Sequence, residues 1–194
     1  VYVGGKLFNA RINAENFSDD ELERAVDYGH VRSVKTYVTM NTLLDDDQLA
    51  PALKQAQLYC KMGVDGIIIQ DLGLGLLIKE HLPQLPLHLS TQAGVYDAEG
   101  VRAAAKLGYE RVVLARELSF EEIKKAIATG VEIETFVHGA LCMCYSGQCQ
   151  LSRVIGGRSG NKGGCAQPCR LPYKGAKEPY PLSPKAVSYT HLTL

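Results

Sequence analysis

The sequence predicts an α/β fold in which parallel strands form a (β/α)8 TIM-barrel-like barrel. Helical patterns alternate with short apolar strand patterns, and four of the five predicted helices end at a glycine shortly before the next strand. One phrase recurs, as MGVDGIIIQD, LGYERVVLARE and TGVEIETFVHG. Alternating strands and helices with short loops are typical of right-handed βαβ units and a parallel sheet.

Six strands and five helices are predicted before the first clustered cysteine. The strands are expected at 1–3, 34–39, 66–70, 87–90, 111–115 and 133–137, and the helices at 18–28, 45–62, 73–81, 97–108 and 119–130. Two helices begin with the capping-box pattern, Ser18–Glu21 and Ser119–Glu122. A doubly wound open sheet is disfavoured, because no glycine-rich phosphate fingerprint follows any strand.

Composition limits the possible classes of protein. A chain of 194 residues can bury one sizeable core. The formal net charge is zero, so no overall field attracts nucleic acid or a membrane. No apolar run approaches the ~20 residues of a membrane span, and no signal peptide is recognisable. We therefore expect a cytoplasmic protein without membrane contact.

The chain divides into three predicted regions. Residues 1–141 form the barrel portion, residues 142–177 a cysteine-rich, glycine-rich basic loop, and residues 178–194 a truncated or non-native tail. Val1 is not an initiator, and the first βα unit and the C-terminal part of a barrel have no counterpart in the pattern. We therefore expect a fragment.

The region 142–177, called here the cysteine segment, holds five of the six cysteines. It carries six lysines and arginines and no acidic residue. Cys142, Cys149, Cys165 and Cys169 are spaced C-x6-C-x15-C-x3-C, without the CxxC pair of a zinc ribbon. Irregularly spaced thiolates in glycine-rich loops favour an iron–sulfur cluster, while zinc and unligated redox thiols stay open. Cys60 lies in a predicted helix and is interpreted as a small buried apolar residue.

Polar residues follow the predicted strands. They are Asn41, Gln70, Asp71, Ser90, Thr91, Gln92, Arg116, Glu117 and His138. Because barrel enzymes place their chemistry at the C-terminal ends of the strands, these side chains indicate a ligand site.

The residues around the first cysteines resemble a known family signature. The match reads Glu134-x-Phe136-x-x-Gly139-Ala140-Leu141-Cys142-x4-Gly147-x-Cys149-x-Leu151-Ser152, and it is similar to the signature of the U32 peptidase family, the collagenase-like proteases. Further similar stretches are VYVGGKLFNAR, ENFSDDEL, YVTMNTLL, GIIIQDLG, HLSTQA, RVVLAREL and GGCAQPCR. The resemblance covers about residues 1–185, and the tail after Lys185 departs from it.

The resemblance implies a chemistry. Several family members hydroxylate a tRNA uridine, a 23S rRNA cytidine or a ubiquinone precursor without oxygen, use a [4Fe–4S] cluster held by four cysteines, and have prephenate implicated as hydroxyl source. IGGRSGNKGGCAQPCR is most similar to the rRNA-modifying branch. The implied cluster and metal ligands are Cys142, Cys149, Cys165 and Cys169, although in some relatives one ligand lies further downstream.

The hydroxylase interpretation assigns a role to each group of residues. The predicted catalytic residues are Gln92, Arg116, Glu117 and His138, and the predicted substrate-binding residues are Asn41, Gln70, Asp71, Arg158 and Arg170. Arg116 and Gln92 suit a small carboxylate donor such as prephenate, unless Arg116 and Glu117 form a structural ion pair. RNA, either rRNA or tRNA, would be held by the basic segment and stacked on Tyr145 or Tyr173. A partner subunit is a further possibility.

Two other functions stay open. A peptidase could use His138 and Cys142 as a Cys–His pair, but one nucleophile does not explain the other clustered cysteines. The chain also has no HExxH or GxSxG motif. The second alternative is a non-catalytic four-cysteine zinc module that binds RNA or scaffolds another protein.

Overall fold

The computed structural model describes residues 1–139, 142–174 and 179–180. Its six parallel strands are β1 (Tyr2–Gly4), β2 (Tyr37–Met40), β3 (Gly66–Ile69), β4 (Leu87–Leu89), β5 (Arg111–Val113) and β6 (Glu132–Glu134). The helices that follow them are α1 (Asp19–His30), α2 (Asp46–Lys61), α3 (Leu72–His81), α4 (Ala98–Lys106) and α5 (Phe120–Ile127). The predicted alternation of six strands and five helices is confirmed.

The strands lie side by side in chain order, from β1 to β6, and every neighbouring pair is parallel. The sheet is strongly curved. Tyr37 on β2 and Arg111 on β5 are three strands apart, yet the arginine Nη2 lies 3.3 Å from the tyrosine hydroxyl across the concave face. The parallel α/β sheet is thus established, and a closed eight-stranded barrel stays a prediction.

The two faces of the sheet differ in chemistry. The convex face, under the helices, is apolar and buried, and its side chains are Val38, Met40, Ile67, Ile69, Leu87, Leu89 and Val112. The concave face carries polar groups. Arg111 lies 2.7 Å from Glu132 and 3.4 Å from the buried Glu134, and the ring of Tyr37 lies 4.7 Å from that of His88. Apolar burial under the helices therefore forms the core, as strand periodicity predicts.

Several predicted boundaries were wrong. Both capping boxes form as predicted, but α1 continues to His30 instead of ending before Gly29. Gly29 is needed for close packing instead, because an added Cβ would stand 3.0 Å from the carbonyl oxygen of Val34. β2 starts at Tyr37, after a turn in which Ser33 has a φ of 58°, and β6 ends at Glu134.

The cysteine segment contains more regular structure than its glycines indicate. A six-residue helix, α6, spans Leu151–Gly156, and 3-10 turns cover Gly160–Lys162 and Pro168–Arg170. Two short antiparallel strands follow, β7 (Tyr173–Lys174) and β8 (Pro179–Tyr180). The predicted tail, 178–194, lies outside the described residues apart from β8. Among the described helices, none combines the length and apolar character needed to cross a membrane.

Candidate functional site

Gln70 directly follows β3 at the carboxyl edge of the sheet. Its side chain is buried, and its Nε2 donates to the backbone carbonyl of Gln92, which follows β4, at 3.1 Å. That contact fixes the orientation of the amide, because a carbonyl can only accept. The Oε1 atom of Gln70 is buried and has no hydrogen-bond partner among the described residues. A buried acceptor of this kind is costly unless a donor reaches it.

Two other predicted substrate-binding residues contact the protein itself. Asp71 accepts from the backbone amide of Leu74 at 2.9 Å and from that of Leu44 at 3.2 Å. It therefore caps α3 and joins two strand-end loops. The Oδ1 atom of Asn41 accepts from the backbone amide of Ala10 at 2.9 Å. Both side chains shape the edge where a ligand would bind.

The first arm of the cysteine segment, residues 142–150, contacts the loop after β5 through Ser146. The hydroxyl of this buried serine lies 3.2 Å from both carboxylate oxygens of Glu117. It accepts from the backbone amide of Arg116 at 3.3 Å and from its side-chain Nε at 3.2 Å. The Ser146 backbone amide donates to Glu117 Oε1 at 2.8 Å. Arg116 and Glu117, both predicted as catalytic residues, are therefore both hydrogen-bonded to Ser146.

The next residue, Gly147, packs against the loop after β4. Its φ is +74°, and an added Cβ would overlap the carbonyl oxygen of Gln92. Gly94, with a φ of +72°, faces the carbonyl oxygen of Ser146 in the same way, at 3.2 Å from an added Cβ. Glycine is required at Gly147 for both its conformation and its space. The first arm thus lies directly on the carboxyl ends of β4 and β5.

The second arm of the cysteine segment, residues 157–170, contacts the same carboxyl edge near β1 and β2. The carbonyl of Asn161 accepts from the backbone amide of Leu43 at 2.9 Å, just after β2. Lys162 forms an ion pair with Asp45, and Gly163 packs against the carbonyl of Asn9. The segment therefore spans the carboxyl edge from β1 and β2 to β5.

The cysteines of the segment influence one another electrostatically. Burial raises the pKa of Cys169; the positive charge of Arg170 opposes this, and the thiols Cys142, Cys165 and Cys149 raise it further. Cys169 therefore has the other three predicted ligands in its electrostatic surroundings. Burial also raises the pKa of Cys144, together with the neighbouring Cys149 and Cys142.

The candidate ligand atoms are all cysteine sulfurs. Sulfur-only ligands suit iron–sulfur clusters or zinc. The backbone amide of Gln167 donates to Cys165 Sγ at 3.3 Å, a contact of the type that tunes thiolate ligands. Within the described residues, no three His, Cys, Asp or Glu side chains converge closely enough to hold an ion. The thiols therefore fit a cluster in the identity of their donor atoms.

The surface around the cysteines is basic and apolar. Arg158 and His138 are exposed, and Arg170 donates to the side chain of Gln167 at 2.7 Å. The exposed apolar and aromatic side chains of the segment are Met143, Tyr145, Val154, Ile155 and Leu171. Such a mixture suits single-stranded RNA, which needs cations for phosphates and flat side chains for bases.

Comparison with known proteins identifies the family of this chain. The model of peptidase family U32 matches residues 1–191. The chain belongs to peptidase family U32.

Curated relatives of this U32 protein carry names of two kinds. It is 43% identical over 174 residues to the 23S rRNA 5-hydroxycytidine C2501 synthase of Escherichia coli strain K12, covering 89% of the chain and 26% of the relative. It is 38% identical to the tRNA hydroxylation protein P of the same strain, with 89% and 39% covered. It is 33% identical to a protein named collagenase from Porphyromonas gingivalis, with 89% and 44% covered.

The match to these relatives is partial in length. The U32 chain spans 26%, 39% and 44% of the lengths of these three relatives. A solved structure, described as the U32 peptidase Mk0906, superposes with a TM-score of 0.56 at 20% identity, covering 69% of the chain and 57% of that structure. This similarity supports the fold.

Sequence reasoning missed Ser146 and the role of Gly147. Both lie inside the U32 signature between Cys142 and Cys149, so their position was visible. Their partners were not, because Glu117 is 29 residues away along the chain. The signal in the sequence that could have indicated this contact was a serine followed by a glycine between two candidate ligands.

Proposed function

We propose that this U32 protein is part of an iron–sulfur-dependent, oxygen-independent RNA hydroxylase that acts on an rRNA cytidine or a tRNA uridine. A [4Fe–4S] cluster would be held by Cys142, Cys149, Cys165 and Cys169. A small carboxylate such as prephenate would serve as hydroxyl donor. The protein would act in the cytoplasm, and the remainder of a (β/α)8 barrel would come from a longer parent chain.

One observation carries the proposal. The four cysteines predicted as ligands all belong to a segment anchored at the carboxyl ends of β1, β2, β4 and β5, and three of them influence the pKa of the fourth, Cys169. In α/β barrels this edge is where reacting groups are placed. The names of the relatives at 43% and 38% identity, both describing RNA hydroxylation, support the reaction class.

The chain's own residues would bind and orient the two substrates. Arg158 and Arg170 would contact phosphates, and the exposed Tyr145 would stack on a base. The terminal amino groups of Arg116 and the side chain of Gln92 would hold the carboxylate donor. Gln70 Oε1 would accept a hydrogen bond from a hydroxyl of that donor, since no described protein group reaches it. A cluster at the four cysteines would supply single-electron transfer.

The peptidase alternative rests on the collagenase relative, at 33% identity. It would use Cys142 as nucleophile and His138 as base. Both side chains are exposed, so water could reach an acyl intermediate. This mechanism leaves the grouping of Cys149, Cys165 and Cys169 without a role, which is why it ranks second. A zinc-bound, non-catalytic RNA module ranks third.

The deciding experiment is anaerobic purification of the intact parent protein, followed by iron, zinc and acid-labile sulfide analysis. We expect about four irons and four sulfides per chain, with broad visible absorption. Stoichiometric zinc without sulfide would favour the zinc module, and absence of both metals would favour the peptidase. Hydroxylation of rRNA and tRNA would then be assayed by mass spectrometry of nucleosides.

The ligand assignment is tested by single substitutions to serine. Cys142→Ser and Cys169→Ser should each lower the iron content and abolish RNA hydroxylation. Cys60→Ser is the matched control, because Cys60 lies on α2 against the core. Retention of full iron content and activity by Cys142→Ser would disprove its assignment as a ligand.

A further inference from the structure

Ser146 is the only buried polar side chain among residues 142–149, and all of its hydrogen-bonding capacity is used. Its hydroxyl donates to the carboxylate of Glu117 and accepts twice from Arg116, and its backbone amide donates to Glu117 as well. A hydroxyl offers one donor and two acceptor sites. Every one of these partners lies in the sheet portion of the chain, residues 1–139.

Glu117 is an exposed residue, but its carboxylate bonds to the hydroxyl and the backbone amide of the buried Ser146. Hydrogen bonds to a carboxylate are stronger than those between neutral groups. The backbone amide fixes the main chain at Ser146, not only a side chain. Gly147 then packs against the carbonyl of Gln92, which restricts the same turn from a second direction.

The position of this contact gives it a consequence for the thiols. Ser146 lies two residues after Cys144 and three before Cys149, and Cys142 is four residues before it. Fixing the backbone at Ser146 therefore fixes the turn that separates Cys142 from Cys149. On the other arm, Ser152 accepts from the backbone amide of Ala166 at 2.9 Å, which joins α6 to Cys165.

We propose that Glu117 is a positioning residue that, through Ser146, holds Cys142 and Cys149 opposite Cys165 and Cys169. It would not touch substrate, in contrast to the catalytic role expected from its place after β5. Arg116 contributes its backbone amide and Nε to the same contact. The inference deepens the proposed function, and it rests on that function only where it concerns a bound cluster.

The first test needs no cluster. In the intact parent protein stripped of metal, alkylation of each cysteine by iodoacetamide is followed by mass spectrometry. Glu117→Ala and Ser146→Ala should each raise the rate at the half-buried Cys149 about tenfold, because the turn opens more often, whereas the exposed Cys142 should change little. Glu117→Gln should fall between them and the wild type, since an amide oxygen still accepts from the Ser146 backbone. Glu121→Ala is the control, an exposed glutamate paired with Lys124.

The second test uses the anaerobically purified protein. Glu117→Ala should shift the visible spectrum and the reduction potential of the bound cluster, with an unchanged melting temperature. A merely structural role would lower the melting temperature and leave the spectrum of the remaining folded protein unaltered.

The outcomes separate the two proposals. A wild-type protein without iron would overturn the proposed function, while the alkylation rates would still decide the role of Glu117. Wild-type alkylation rates in both Glu117→Ala and Ser146→Ala would overturn the positioning role, whatever the metal content. If Glu117→Ala fails to fold, Ser146→Ala decides alone, because it leaves every residue of the sheet portion unchanged.

Discussion

The sheet portion, residues 1–139, and the cysteine segment are held in place by different forces. In the sheet portion, helices and strands alternate regularly and bury one continuous apolar core. The described part of the cysteine segment contains one six-residue helix whose Val154 and Ile155 are exposed. Its position depends on a few hydrogen bonds and on glycines that fit against strand-end carbonyls.

The difference shows how a stable frame can hold a segment that has little apolar core of its own. Apolar burial scales with area and tolerates small local errors. By contrast, a single hydrogen bond, or a glycine packed against a carbonyl oxygen, is lost completely when one partner is changed. Segments that carry function depend on rigid elements for their geometry. Substitutions in the two regions should therefore fail in different ways.

The largest effect is expected at Gly147. In Gly147→Ala, the added methyl would overlap the carbonyl of Gln92 and the residue would keep a φ of +74°. The first arm should detach from the ends of β4 and β5, with loss of protection against hydrogen exchange over residues 142–150. Helices and strands of the sheet portion should keep their protection.

The matched control for this substitution is Gly130→Ala. Gly130 has a φ of +79°, but nothing lies within 4 Å of an added Cβ. It tests backbone strain without steric overlap, and about 1 kcal/mol of destabilisation is expected. Equal exchange behaviour of the two variants would show that the overlap at Gly147 is relieved by small shifts, and the comparison between regions would weaken.

The sheet portion was largely predictable from sequence, for a physical reason. Its signals are local, because the Ser18 and Ser119 capping boxes and the apolar runs of β3 each lie within one element. The failures, such as the end of α1 at His30, occur where a contact outside the element decides. Gly29 reads as a helix stop, but its close approach to Val34 makes it an interior residue.

The contacts of the candidate site were not predictable from sequence, and the assignment of its cysteines as ligands stays a prediction. The structure places the cysteine segment against the carboxyl edge of the sheet, beside the polar residues that follow the strands. Asp71 as a helix cap and Glu117 as a partner of Ser146 depend on which loops meet in three dimensions. A single sequence does not show which loops are in contact. The structure was therefore needed to correct roles that had been assigned only because a residue follows a strand.

The second prediction concerns pH and the concave face. Burial lowers the pKa of His88 to about 4, helped by the positive charge of Arg111. An unfolded histidine has a pKa near 6.5, so the unfolded state binds more protons between these values. Stability should therefore fall as pH decreases from about 6.5 towards 4, by up to roughly 3 kcal/mol. Urea unfolding at a series of pH values measures this.

His88→Gln is the variant that isolates the effect. Glutamine cannot titrate, so the difference in unfolding free energy between wild type and variant should change with pH in that window. Burial raises the pKa of Glu134, which acts in the opposite direction but equally in both proteins. A pH-independent difference would show that His88 stays solvated, and the concave face would no longer count as buried.

The third prediction tests close packing on the helical side. In Gly75→Ala, the new methyl would overlap the hydroxyl of the buried Tyr109. Alanine normally favours a helix by about 1 kcal/mol over glycine, but overpacking should reverse the sign and cost about 1–3 kcal/mol. Thermal unfolding gives the value.

A double variant distinguishes overlap from other causes. The Tyr109 hydroxyl is buried without a hydrogen-bond partner among the described residues, so Tyr109→Phe alone should be neutral or stabilising. Gly75→Ala combined with Tyr109→Phe should recover part of the lost stability. Additive effects of the two changes would argue against a direct contact between α3 and Tyr109.

The smallest effect is expected at Ser119, which caps α5. The backbone amide of Ser119 donates to Glu122 at 2.7 Å, and its hydroxyl lies 3.4 Å from the Glu122 amide. Ser119→Ala should destabilise the protein by about 1 kcal/mol, the usual value for a lost cap, and Ser119→Asp should restore most of it. Alkylation rates in the cysteine segment should stay at their wild-type values, because a weakened helix end leaves the contact between Glu117 and Ser146 in place. If Ser119→Ala instead exposed Cys149, the two regions would share one cooperative unit, since α5 begins only three residues after Glu117.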